Sequence, residues 1–329
     1  MGIGRRQFLR AGVGVAAAVG FGSAAARYAW AAESALVPPS LRFELTDPAD
    51  DLFRDKPLYG DRVMQSFAFD IGNRRLFAVQ VSNGSASDVA GDLTVTRLDF
   101  AGNQLGHMYL KGFGHGVSIG VEADGTDSYL WTEVDARQEG DSSRGVRLAR
   151  FRFVSGTTVV NTDAGLAKYT PIPNAYATTC AIDPVNNRMA MRYRTAESTS
   201  APYRFAVYDL GGVKTSPVPV PLVDVATPEG MGTFQGYALY GSYLYLYEGN
   251  SYEVSAPPGN VYITSVDVNT GLVVQRFHSQ AGKTLTYREP EGMAIYRTST
   301  GEMRLFQGFA SGAEGDRRAN LFYKNQLVT

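Results

Sequence analysis

Ten side chains recur at equivalent places along this 329-residue chain, nearly all of them polar. Gln65, His115, Thr178, Gln235 and Glu291 each open one kind of short segment. Gln80, Glu133, Arg192, Tyr247 and Gln307 close another. An imidazole, two carboxylates and a guanidinium among amides, beside Tyr237, Tyr247 and Trp131, form a set suited to sugars, whose hydroxyls need donors, acceptors and an apolar face. Arg192, with Arg194 and Arg288, would fork onto a phosphate or a uronate. Catalysis is the alternative: Glu133 and Glu291 as the paired carboxylates of a glycoside hydrolase, or His115 with Tyr247 as base and acid of a polysaccharide lyase. A sequence carries no distances, so binding and catalysis both stand. A divalent cation among Gln65, Glu133 and Glu291 also stays open, and no other cofactor is implied.

Whether these residues meet depends on the elements that carry them. Gln65-Ser66-Phe67-Ala68-Phe69 is followed by His115-Gly116-Val117-Ser118-Ile119 and Thr178-Thr179-Cys180-Ala181-Ile182. The pattern then returns as Gln235-Gly236-Tyr237-Ala238-Leu239 and Glu291-Gly292-Met293-Ala294-Ile295, at intervals of 50, 63, 57 and 56 residues. Each copy is a short strand with small residues at a crowded place, followed by a turn and a second strand rich in aromatic and β-branched residues. The second strands are expected at 76–81, 129–134, 188–193, 243–248 and 303–308, and the third at 93–99, 146–153, 204–210, 261–268 and 319–324. Fourth strands fall near 106–111, 168–172, 218–223 and 273–277. Four antiparallel strands repeated five times predict an all-β, five-bladed β-propeller. The last blade lacks a fourth strand, and residues 41–46 are expected to supply it from the N-terminal side, which removes the open edges. A pair of β-sandwiches would not explain five copies. The strand starts and second-strand ends then face one rim, and ten such side chains around a central mouth are a candidate binding site. The competing reading is a polar axis that merely holds ordered water.

Residues 1–32 read as a leader outside that fold. Arg5-Arg6-Gln7-Phe8-Leu9-Arg10 precedes a short Gly- and Ala-rich apolar stretch, and Ala29-Trp30-Ala31 offers a small-x-small cleavage pattern. This is the form of a twin-arginine signal, so the working domain, 33–329, is expected outside the cytoplasm, with the export machinery as a transient partner and no integral membrane segment left after removal. Four of the 31 Lys and Arg lie in the leader and no acid does, which leaves 27 bases against 32 acids, about −5. That balance argues against nucleic-acid binding by counterion release. One cysteine, Cys180, excludes a disulfide scaffold and any Cys-based metal cage, and its apolar setting reads as packing.

Some motifs carry less than they suggest. Gly116-Val117-Ser118-Ile119-Gly120 matches the nucleophile elbow, but no helix follows, and Ser118 takes the small slot shared by Ala68, Ala181, Ala238 and Ala294. Gly112-Phe113-Gly114-His115-Gly116 lacks the Lys-Ser/Thr of a phosphate loop. Asp124-Gly125-Thr126-Asp127 reads as a turn, not a calcium loop. His107 and His278 fall on outer strands.

With these runs, together with His107-Met108-Tyr109-Leu110-Lys111 leading into Gly112, Leu130-Trp131-Thr132-Glu133, and Glu289-Pro290-Glu291-Gly292-Met293-Ala294, the chain resembles the five-bladed propellers shared by teichoic acid biosynthesis protein C and receptor-binding proteins of staphylococcal phages. The resemblance covers residues 41–324. It implies an anionic cell-surface glycopolymer as ligand, with Gln65, His115, Glu133 and Glu291 on matching motif positions. The leader is a departure, since a virion protein would not need one, and it points to a secreted bacterial protein. A scaffold role, with the loops 135–144 and 248–260 meeting another protein, is the third reading.

Overall fold

Side chains alternate across a strand, and here nearly every position of the inner strands is apolar or small. Such strands must be covered on both faces. The computed structural model, which describes residues 37–84 and 86–329, meets that demand with five antiparallel sheets set around one axis. The leader expected over residues 1–32 lies outside the described residues.

Blade 1 comprises Met64–Asp70, Arg75–Val81, Leu93–Leu98 and Gln104–Lys111, and blade 2 Gly120–Asp124, Asp127–Val134, Arg147–Arg152 and Ala167–Tyr169. Blade 3 is Tyr176–Asp183, Arg188–Arg194, Arg204–Asp209 and Val223–Ala226, and blade 4 is Phe234–Tyr240, Tyr243–Glu248, Tyr262–Asp267 and Val273–His278. Blade 5 holds Glu289–Arg297, Met303–Ser311 and Arg318–Lys324, and Asp50–Pro57 completes it. The five-bladed propeller and its closure by an N-terminal strand are both present.

Four details differ from expectation. Residues 41–46 do not close the ring: Arg42–Phe43 pairs with Leu327–Val328, while Phe43 and Leu45 are buried in the core of blades 4 and 5. The closing strand has only Leu52 and Phe53 as apolar anchors and two register shifts, because an outer strand faces water and needs no apolar pattern. In blade 2 the segment 115–119 is not a strand. Gly112, Gly114 and Gly116 carry φ of 75°, 158° and 80°, which arch the chain before pairing starts at Gly120. Ser118 therefore misses the small slot, which Ile119 and Val121 occupy beside Ala68, Ala181, Ala238 and Ala294. The fourth strand of blade 3 begins at Val223, and blade 1 gains a fifth, parallel strand, Thr158–Val160.

Aromatic rings fill the seams between blades. Phe69 meets Tyr296 and Phe306 at 5.0 and 4.7 Å, Phe205 meets Tyr237 at 5.2 Å, and Tyr247 meets Phe309 at 5.9 Å. Each such ring, fully buried, contributes roughly 1.5–3 kcal/mol. Buried hydrogen bonds also cross four of the seams: Ser66 Oγ to Gly116 O, Ser118 Oγ to Cys180 O, Tyr237 OH to Ala190 O, and Tyr247 OH to Gly308 O.

At the fifth seam there is no room for a side chain. A Cβ on Gly292 would lie 2.8 Å from Ser66 Cα, and at the neighbouring seam of blades 4 and 5 one on Gly236 would lie 2.8 Å from Gly292 Cα. Gly292 also has φ of 75°. Gly292→Ala is therefore expected to cost about 2–4 kcal/mol through strain and overpacking. Urea unfolding checks this, with Gly165→Ala, where nothing lies within 4 Å, expected to stay within about 0.5 kcal/mol.

Candidate functional site at the propeller mouth

The small residues at the axis leave a void of only about 10 Å³ between the inner strands. At that level the axis is lined by apolar side chains from all five blades. Above it lies a cavity of about 610 Å³ lined by Gln65, His115, Gln235 and Glu291 together with Asp61, Arg62, Glu289, Glu314 and Arg317. Four of the five residues expected at strand starts are brought together, His115 from the arched segment that precedes Gly120. Thr178 is fully buried, and its hydroxyl donates to Arg147 O of blade 2 at 3.1 Å.

The second-strand ends do not reach the cavity. They lie one strand farther from the axis, beneath the rim loops, and they hold those loops. Gln80 accepts from Gly60 N at 3.0 Å and donates to Gly60 O at 2.9 Å and to Arg62 O, which fixes the segment presenting Asp61 and Arg62. Glu133 is fully buried and accepts backbone N–H bonds from His115 at 3.0 Å, Gly116 at 2.8 Å and Gly145. Burial raises its pKa, against the opposing pull of Arg144 and the three donors. Gln307 accepts from Ser279 Oγ at 2.6 Å, and the Tyr247 hydroxyl is already bonded to blade 5. The proposed pairs Glu133/Glu291 and His115/Tyr247 therefore do not face each other across the mouth. Nor does Glu133 have a free face to share a cation with Gln65 and Glu291.

The aromatic platform is likewise absent from the mouth: Trp131, Tyr237 and Tyr247 are fully buried in the seams. The arginines also differ from expectation. Arg288 is buried and donates to Ala281 O and Ser279 O, and Arg194 pairs with Glu139. Arg192 is sandwiched between Tyr203 and Phe234, its guanidinium carbon 3.3 and 3.8 Å from the ring centroids, and among the described residues no carboxylate pairs with it. Burial lowers its pKa to about 10, still charged at neutral pH.

His115 is held by its backbone bond to Glu133 and by its side chain, with Nδ1 2.7 Å from Ser142 Oγ. Ser142 and Arg144 belong to a hairpin, Arg137–Glu139 with Ser142–Arg144, that occupies the expected loop 135–144. Burial, then Arg144 and Arg62, lowers the imidazole to about 3, so it is neutral across the physiological range. On the opposite wall Glu291 is 4 % exposed, and among the described residues no donor bonds its carboxylate. Burial first, and then Glu289, raises its pKa well above 4.5. Glu289 is raised too, by burial, although the Tyr287 hydroxyl donates to it at 2.6 Å.

Sequence reading missed Asp61, Arg62, Glu314 and Arg317 because they sit on loops without a repeat. Glu289 had a signal, since Glu-Pro-Glu spacing on a strand puts both carboxylates on one face.

These features belong to a class of ring proteins that present a polar mouth above a closed axis. Residues 63–323 match the phage 5-bladed beta propeller receptor binding platform domain, and the chain belongs to that family. It is 30% identical over 287 residues to the putative major teichoic acid biosynthesis protein C of Bacillus subtilis (strain 168), covering 85% of this chain and 63% of that protein's length. It also superimposes on the tail fiber of Staphylococcus aureus phage P68 with a TM-score of 0.70 at 22% identity, over 86% of this chain and 54% of the fiber, a likeness of fold.

Two outcomes test the electrostatics. A carboxyl whose pKa is raised on folding contributes stability that is fully present below its ordinary value near 4.5 and is lost as pH rises through the raised value. Glu291→Gln carries no such loss, so it should melt above the parent at pH 8 and level with it near pH 4. Heteronuclear NMR of the His115 ring should show a neutral imidazole at pH 5, where an ordinary histidine is mostly charged.

Proposed function

We propose that the protein is an exported receptor for a cell-surface glycopolymer, which it binds at the propeller mouth. The observation that carries this is the cavity itself. It is about 610 Å³ and lined by amide, imidazole and carboxylate groups, among them the Glu291 carboxylate, which no donor bonds among the described residues. Membership of a receptor-binding platform family supports the reading, as does the likeness to a protein named for teichoic acid biosynthesis.

A polyol or sugar unit fits the cavity, where Gln65, Gln235 and neutral His115 supply both donors and acceptors. The anionic links of the polymer fit the flank of blades 2 and 3. There Arg137, Arg144 and Arg194 line a second cavity of about 210 Å³ with Glu139 and Glu197, and Arg192 stands nearby, with no carboxylate paired to it among the described residues. Residues 1–32 act in this reading as a twin-arginine leader for a single domain, 33–329, working outside the cytoplasm. Among the described residues no helix is long and apolar enough to cross a membrane.

A second reading, hydrolysis of the same polymer, is favoured by one observation: Glu289 and Glu291 both line the cavity and both hold their protons more tightly than ordinary carboxyls.

Calorimetry with glycerol-phosphate, ribitol-phosphate and uronate polymers separates these readings when product release is followed in the same samples. Binding without turnover is expected. His115→Ala and Gln235→Ala should each weaken it about tenfold, the loss of one or two good hydrogen bonds, and added salt should weaken it further through the arginine flank. Turnover that vanishes in Glu291→Gln would replace the receptor reading with the enzymatic one. Indifference of all three variants would remove the mouth as the site.

A further inference from the structure

The lining of the mouth holds more acidic side chains than basic ones. Asp61, Glu289, Glu291 and Glu314 line it against Arg317, while Arg62 is neutralised by a two-bond pair to Asp88 at 2.9 Å for each bond. His115 adds no positive charge, for the reasons given above. Glu291 faces the cavity at 4 % exposure, and among the described residues no donor bonds its carboxylate; such a group gains from a ligand that brings donors. Glu289 stands two residues away on the same strand with a single donor, the Tyr287 hydroxyl.

The backbone bears strain at this place. Tyr287 and Arg288 enter the strand with φ of 64° and 42°, and Gly292 leaves the pair at 75°. Both Glu289 and Glu291 line the cavity, next to a register shift between Pro290 and Met293. A metal ion needs more ligands than this pair supplies, and among the described residues no three His, Cys, Asp or Glu converge closely enough to hold one. A primary ammonium needs fewer. It is compact, positive and carries three N–H donors, which match the open acceptors of two carboxylates.

We infer that Glu289 and Glu291 form an ammonium-recognition subsite, so that the ligand unit seated in the central cavity bears a free amino group. This rests on the mouth being the ligand site, and it narrows the ligand to a polymer with anionic links and cationic substituents. The flank of Arg137, Arg144 and Arg192 would face the former and the Glu289–Glu291 wall the latter. An amino sugar and an aminoacyl ester both present the required group.

Small probes test the subsite without any polymer. Glucosamine and alanine methyl ester are titrated into the full chain by NMR, beside N-acetylglucosamine and lactic acid methyl ester, which lack the amine. Amine probes are expected to bind at least tenfold more tightly than their neutral partners, and which amine binds better identifies the source. Glu291→Gln and Glu289→Gln, each checked by thermal melting, should erase that preference, one variant serving if the other misfolds. Equal affinity for amine and neutral probes, or no binding by either amine, overturns the inference. So does an amine preference unchanged in both variants. Failure of the receptor reading looks different: polymer affinity would then be insensitive to Gln235→Ala, whatever the small amines do.

Discussion

Five inner strands crowd the propeller axis until backbone meets backbone. Where Gly236, Gly292 and Ser66 come together a methyl group has no place, and the alanines beside them close the channel to about 10 Å³. From that limit much else follows. Polar side chains cannot continue down the axis, so those at the strand starts gather above that level and look outward. The cavity has a floor because the ring is tight, and each wall belongs to a different blade because the ring has five members. The seam hydrogen bonds from Ser66, Ser118, Tyr237 and Tyr247 fasten the blades at the same depth, which limits how far the walls can spread.

Around the mouth, buried polar groups divide into those that hold loops and those that face the cavity. Glu133 and Gln80 have their oxygens engaged by the backbone, so they support neighbours such as His115 and Arg62. Glu291 lies nearly as deep, and among the described residues it has no such partner. This contrast separates the carboxylate that supports the rim from the one that faces the cavity.

The repeat made the architecture legible, because small-apolar-small patterns at intervals of 50 to 63 residues reflect a physical need for narrow inner strands. It also located Gln65, Gln235 and Glu291, which lie near the starts of inner strands, and His115, which reaches the same cavity from the arched segment before Gly120. The same pattern misled for Gln80, Glu133, Arg192, Tyr247 and Gln307. These lie one strand farther out, about 4.8 Å in a sheet, far enough to be covered by the rim. Trp131, Tyr237 and Tyr247 were placed at the mouth because aromatic rings suit sugars, but rings of that size also fill seams, and here packing claims them. The closing strand was hidden for the opposite reason. Asp50–Pro57 is mostly exposed, so water leaves no apolar periodicity in it, whereas the apolar alternation of residues 41–46 reflects burial of Phe43 and Leu45 beneath blades 4 and 5.

The pairing of Asp50–Pro57 with Arg318–Lys324 also sets a schedule. The first strand of the ring to leave the ribosome waits for one of the last, and the mouth draws Asp61 and Gln65 from the beginning of the chain and Glu289 to Arg317 from its end. Contacts so distant in sequence form slowly. Until Arg318–Lys324 has been made there is neither a closed ring nor a complete cavity, so the mouth exists only once the two ends of the ring have joined.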